Sequence, residues 1–229
     1  MRGNGRMLAY LLIGSILILG IGLYWANSTK SSASVKPAER PSASVAIELD
    51  DQEIQEKQFW ALIERTLEHQ DSQEMQALAL QKELEALSVR DIEKFSSVFD
   101  RLMQKTYSWD LWGAAYVIRG GASDDSFEDF RKWLISKGED YFIKAVEDPE
   151  RLAEMIESDP SVAVTFEEFS YIPMEVWSKK TGKDPSDLPK DKGALYPADP
   201  IGEPFEEDAV YLAQRYPSLW KRFGEHPLE

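Results

Sequence analysis

Three carboxylates and two arginines stand close together in the middle of this chain: Asp110, Arg119, Asp124, Asp125 and Arg131. Paired aspartates at this spacing have two chemical uses. They can hold a divalent cation, or they can divide general-acid and general-base work. A metal-assisted hydrolase using Asp124 and Asp125 is the enzyme reading they allow. The structural alternative is simpler. Ser123 caps a helix, Asp124 and Asp125 fill its first turn against the helix dipole, and an Asp–Arg tie from Asp124 to Arg131 or Arg119 holds the corner. A helix starting at Asp110 places that residue about 15 Å from the corner at 1.5 Å rise per residue, so it need not meet the other two. Trp109, Trp112 and Trp133 lie among them. They can line a ligand pocket, but each also falls on an apolar helical stripe, which makes them core residues first.

The remaining chemistry is sparse. His69 and His226 are the only histidines, and neither has a ligand partner one helical turn away. There is no cysteine, so disulfides, thiolate zinc sites and cysteine nucleophiles are excluded. No nucleophile elbow, phosphate loop or dinucleotide fingerprint occurs. The sequence therefore names no catalytic residue, no metal ligand and no cofactor. A non-enzymatic binding or regulatory module with a protein partner is the leading reading.

Stepping outward, the stretch from Ser108 to Gly138 positions these residues. Ser108 caps a helix carrying Trp109, Trp112 and Tyr116. Gly120 and Gly121 end it, since glycine alone takes the left-handed stop without steric cost. Ser123 opens a second helix with Phe127, Phe130, Trp133 and Leu134 inward, closed at Lys137–Gly138. The two form an αα-hairpin. The runs Trp109-Asp110-Leu111-Trp112-Gly113-Ala114-Ala115-Tyr116, Gly120-Gly121-Ala122-Ser123-Asp124-Asp125 and Phe130-Arg131-x-Trp133-Leu134-Ile135 resemble the domain of unknown function 4240, an uncharacterised bacterial family. That family's motif reads GGCSDD, with cysteine where this chain has Ala122, which argues against a thiol role here. The resemblance extends from about Phe59 to about Phe223. It implies a shared fold and no activity.

Around this hairpin the periodicity predicts an all-α domain of about eight short helices. One runs from Asp50 to Glu68, with Ile54, Phe59, Trp60, Ile63 and Leu67 inward. A second starts at Asp71 or Ser72, with Met75, Leu78, Leu80, Leu84 and Leu87. A third opens on a Ser88–Asp91 capping box, with Ile92, Phe95, Phe99 and Leu102. After Gly138 come a short helix through Tyr141 and Phe142, a proline-started helix at Asp148–Pro149, a capping-box pattern at Thr165–Glu168, and a turn begun by Pro173. Lys183 to Pro204 holds five prolines and reads as a long extended loop. Phe205–Tyr216 reads as a last amphipathic helix, and Pro217–Phe223 adds a terminal turn.

The N-terminus has a different composition. Residues 1–7 are a basic tail, and Leu8–Trp25 is uncharged and apolar. Its length corresponds to about 27 Å of helix, matching a bilayer core, so a single transmembrane helix is expected ahead of the domain. A cleaved signal peptide, giving a secreted protein, is the alternative. Residues 26–47, rich in Ser, Ala and Pro, read as a disordered tether. The expected location is the cell membrane, with the domain on the extracytoplasmic side. Residues 1–48 carry five basic and two acidic groups, +3 in net, so the overall −15 leaves −18 on the rest. Such an acidic body repels nucleic-acid phosphates, and nucleic-acid binding is not expected.

Overall fold

A computed structural model describes residues 51–157, 163–191, 193 and 197–228, all within one unit, Ile47–Glu229. Ten α-helices and four short 3-10 turns account for its regular structure, with no strand among the described residues. The all-α reading stands, with more elements than the eight expected. Its membrane half is corrected: no helix among the described residues is long and apolar enough to cross a bilayer. The expected span Leu8–Trp25, the basic tail and the tether lie outside the described residues.

Serines set the helix starts. Ser72 Oγ accepts the Met75 N–H and opens α2 (Gln73–Glu85), and Ser88 Oγ accepts the Asp91 N–H and opens α3 (Val89–Lys105). Each such cap satisfies a backbone donor that the helix itself leaves without a partner. Ahead of them, α1 (Asp51–Thr66) turns Phe59, Trp60 and Ile63 inward. Phe59 stacks on Phe95 of α3, centroids 4.5 Å apart. The helix α8 (Tyr171–Thr181) packs across α2 and α3, so these four helices share one apolar centre.

The face of α2 differs from its expected stripe. Met75 and Leu78 are 47% and 52% exposed, while Gln76, Leu80 and Leu84 are buried. The inward row is 76–80–84, one residue per turn. Gln76 tolerates burial because its Nε2 donates to Thr66 Oγ1 at 3.2 Å and to the Ser136 carbonyl at 2.8 Å. Ile54 of α1 is likewise 40% exposed.

The second half packs around α4 (Trp109–Arg119) and α5 (Asp124–Ser136). After them come α6 (Glu139–Glu147) and α7 (Leu152–Met155), the latter entered through a 3-10 turn at Pro149–Arg151 that Asp148 caps. Two further corrections belong here. Thr165 caps no helix. Its carbonyl accepts Gln73 Nε2 instead, and Glu167–Ser170 is a 3-10 turn without a side-chain cap. Pro173 sits inside the first turn of α8 rather than starting it, where a missing N–H costs nothing.

The last helices are α9 (Ala209–Arg215) and α10 (Pro217–Phe223). The former begins later than the expected Phe205, because Asp208 Oδ1 accepts the N–H groups of both Val210 and Tyr211. Phe205 stays outside the helix and packs against Trp109 and Tyr116. The proline-rich loop is tied to α4 by one parallel bridge: Trp109 N–H donates to Ile201 O at 2.9 Å, and Ile201 N–H to Tyr107 O at 3.0 Å.

Candidate functional site

The corner between α4 and α5 is built by its backbone. Gly120 has φ 66°, and the N–H groups of Gly120 and Gly121 both reach the Tyr116 carbonyl. Trp112 Nε1 donates to the Ala122 carbonyl at 2.9 Å, which pins the loop onto α4. Ser123 then caps α5 by accepting the Ser126 N–H. The consequence is positional. Asp124 and Asp125 are held at an exposed first turn, where the positive helix end favours them.

Beneath that turn the aromatic residues form a stacked row. Trp109 lies on Trp112 with centroids 5.2 Å apart and planes 12° from parallel, and Trp112 lies on Phe127 at 4.8 Å and 13°. The row ends on a cation. The Arg131 guanidinium stands 4.9 Å from the Phe127 ring and 5.0 Å from the Tyr107 ring, while its Nη1 donates to the Met103 carbonyl at 2.8 Å. Ring faces and a carbonyl dipole thus stabilise a charge that is only 5% exposed.

Arg131 forms the floor of a cleft of about 560 Å³ between α3, α5, the start of α8 and the Pro185–Asp191 loop. Phe99, Met103, Met174 and Leu188 give it apolar walls, and Asp124, Asp125 and Glu128 stand on its α5 side. Two of the lining cations, Arg131 and Lys132, are engaged by the protein itself. Lys132 Nζ bridges Glu128 and Asp129, each at 2.9 Å. Burial pulls the Lys132 pKa down, but those two carboxylates outweigh it and leave it above its ordinary value. Opposite, Asp191 pairs with Arg101 at 2.7 Å and its N–H donates to Asp100. Burial pushes the Asp100 carboxyl up, against the pull of that N–H and of Lys190. The cleft therefore carries an apolar strip from Phe99, Met103, Met174 and Leu188, with carboxylates at its α5 edge and Asp100, Lys190 and Asp191 on the opposite wall.

The other residues singled out by the sequence go elsewhere. Asp110 lies on the opposite end of α4, where its Oδ1 accepts Arg215 Nη2 at 2.8 Å and the Tyr216 hydroxyl at 3.3 Å. Arg119 faces the corner, with Nη1 3.5 Å from the Ser126 carbonyl and a buried Nε that has no partner among the described residues. Trp133 lies on the far side of α5, lining a second cavity. Among the described residues, no three His, Asp or Glu side chains gather as a metal ion needs.

Residues 54–179 match the family model described as a protein of unknown function, DUF4240. The chain belongs to this family. The match covers just over half of the chain and includes the whole α4–α5 hairpin, ending short of the Phe223 to which the resemblance extends. No curated protein and no solved structure matches the chain. DUF4240 membership carries a fold and no reaction.

Sequence reasoning missed the far wall of the cleft. Asp100, Lys190 and Asp191 come from α3 and from the proline-rich loop, some ninety residues apart. The only local signal was the density of prolines between Lys183 and Pro204, two of which, Pro185 and Pro197, line the cleft, as does Pro173 from α8.

Proposed function

We propose that the protein is a non-enzymatic binding module whose cleft between α3, α5 and the Pro185–Asp191 loop receives a basic segment of a protein partner. One observation carries the reading. Asp124 and Asp125 stand at the edge of a cleft with an apolar strip, free of any ion pair among the described residues, while on their own side of it Lys132 is held by Glu128 and Asp129. A lysine or arginine side chain meets both halves of such a site, its stem on the apolar wall and its charge at the carboxylates. The excess of acidic residues over the domain adds long-range steering toward a basic partner.

The test is fluorescence anisotropy of the full chain against labelled peptides of equal length, basic, neutral and acidic. The reading expects basic peptides to bind, weakening with salt. Asp124→Asn/Asp125→Asn is expected to lose several-fold in affinity with its melting temperature near that of the unaltered chain. Binding that ignores peptide charge, or that the double variant leaves unchanged, refutes the reading.

A further inference from the structure

A groove of about 460 Å³ runs between α2 and the start of α8. Ser170, Pro173 and Met174 face the cleft, while Tyr171, Ile172 and Glu175 line the groove, so the two lie on different sides of α8. The helices run side by side in one direction. Gln73 at the start of α2 donates to the Thr165 carbonyl just ahead of α8, and at the other end Lys180 Nζ donates to the Glu85 carbonyl at 2.8 Å. Along α2 the groove takes Glu74, Ala77, Leu78 and Gln81, a single row about 10 Å long at 1.5 Å per residue.

The groove is apolar along its length. Phe166 and Ile172 are buried and make its floor, and Leu78 and Tyr171 stand about half exposed on its walls. The Tyr171 ring is already fixed: its hydroxyl donates to Glu167 Oε1 at 2.9 Å, and Lys132 Nζ stands 6.0 Å from the ring centroid. A wall held in place before binding loses little freedom when something docks on it. One exposed leucine needs no explanation, but a continuous apolar strip rimmed by charge has the form of an interaction surface.

The rim decides the occupant. The ionisable residues lining the groove are Glu74, Glu168 and Glu175, all exposed, and no Lys, Arg or His lines it among the described residues. None of the three carboxylates has an ion pair or hydrogen bond there. The adjacent lysines do not neutralise them, since Lys132 is held by Glu128 and Asp129, and Lys179 by Glu85. A second copy of this chain brings the same rim and places like charges face to face, and an anionic lipid surface is repelled in the same way.

We infer that this groove docks an amphipathic helix from a basic protein partner. Apolar side chains at i, i+3 or i+4, and i+7 would seat between Leu78 and Tyr171, and flanking lysines or arginines would meet Glu74, Glu168 and Glu175. The row of α2 is two turns long, which such a spacing spans. The surface is separate from the cleft and stands whether or not the cleft receives a peptide.

The experiment is fluorescence anisotropy of the full chain with three labelled peptides of equal length. One has leucines at helical spacing among lysines, one scrambles that composition so that no face is apolar, and one carries glutamate in place of lysine. The first is expected to bind about ten-fold more tightly than either other and to gain helix by circular dichroism on binding. Leu78→Lys alters an exposed position and is expected to weaken it about ten-fold, a hot-spot-sized loss. Glu74→Gln/Glu175→Gln is expected to weaken it several-fold and to reduce its salt dependence, and carries the test if Leu78→Lys melts early. Asp124→Asn/Asp125→Asn is expected to leave it unchanged. Equal binding of the scrambled or the acidic peptide overturns the inference, as does unchanged binding by folded groove variants. A loss confined to Asp124→Asn/Asp125→Asn also overturns it, by assigning the peptide to the cleft. A concentration-dependent dimer that Leu78→Lys abolishes in sedimentation overturns it too, by giving the groove to a second copy.

Discussion

Gly113 sits in α4 where α10 comes down on it, and Gly113→Ala tests that seat. A Cβ built at Gly113 would lie 2.8 Å from Tyr216 Cζ and 2.9 Å from Cε2, closer than side chains approach, and nearer still to the hydroxyl. Tyr216 cannot simply swing away. It is 2% exposed, and its hydroxyl donates to the Asp110 carbonyl at 3.0 Å and lies 3.3 Å from Asp110 Oδ1. Overpacking of this kind costs about 1–3 kcal/mol. Displacing the tyrosine sacrifices a hydrogen bond worth about 1 kcal/mol net. Against this, alanine gains about 1 kcal/mol over glycine inside a helix. The balance is about 2 kcal/mol of destabilisation, equivalent to a fall of about 4–8 °C in Tm for a domain of this size. The assay is calorimetric or circular-dichroism melting of Gly113→Ala, Tyr216→Phe and the double variant. Removing the hydroxyl removes the nearest clash, so the double variant should be less destabilised than the two single changes combined. A neutral or stabilised Gly113→Ala, or strictly additive losses, refutes the claim that α10 is seated through Gly113.

Two further outcomes are expected. Gly120→Ala places a side chain at φ 66°, which costs about 1–2 kcal/mol, and drives its Cβ to 2.7 Å from Pro227 Cγ, so urea unfolding should show a loss larger than the backbone term alone. Burial holds the folded-state pKa of Asp100 above its unfolded value, so the folded state binds that proton more readily and this group favours folding most below the ordinary carboxylate range, losing that contribution as pH rises through the folded pKa. Asp100→Asn should therefore flatten the decline in stability between acid and neutral pH in denaturant titrations, and a decline unchanged by the substitution would show that Asp191, Lys190 and Arg101 already balance the charge.

The α4–α5 hairpin was legible because each of its signals is local. Ser108, the glycine pair and Ser123 act within a few residues of themselves, and the bonds they make are those their types predict. What depended on distant chain segments was not legible. The stripe of α2 was misassigned because Met75 and Leu78 are the more apolar residues, yet the buried position is Gln76, whose partners Thr66 and Ser136 lie ten and sixty residues away. Asp110 was grouped with Asp124 and Asp125 by sequence distance, whereas Arg215 and Tyr216 claim it from the far end of the chain. Arg131 was read as a partner for a carboxylate, and its guanidinium instead lies on two rings that no helical period places together. Lys137 was read as a basic last turn ahead of a glycine stop. That reading describes its backbone correctly, and nothing in it says that the side chain turns into a cavity.

The stretch from Gly120 to Ser123 is spent almost entirely on architecture. Its two glycine N–H groups close α4, the Ala122 carbonyl holds Trp112, and the serine caps α5. That leaves Asp124 and Asp125 as the residues of the corner with nothing structural to bond, and the corner fixes where they point. The cleft and the cavity lined by Trp133 and Lys137 differ in how they relate to the DUF4240 match. Every residue lining the Lys137 cavity, from Gln70 to Ala163, falls within the matched span 54–179. The cleft takes its outer wall, Pro185 to Pro197, from beyond it. A protein sharing only the matched span would thus hold the Lys137 cavity with all its lining positions, but would keep Asp124 and Asp125 without the loop that turns their surface into a cleft.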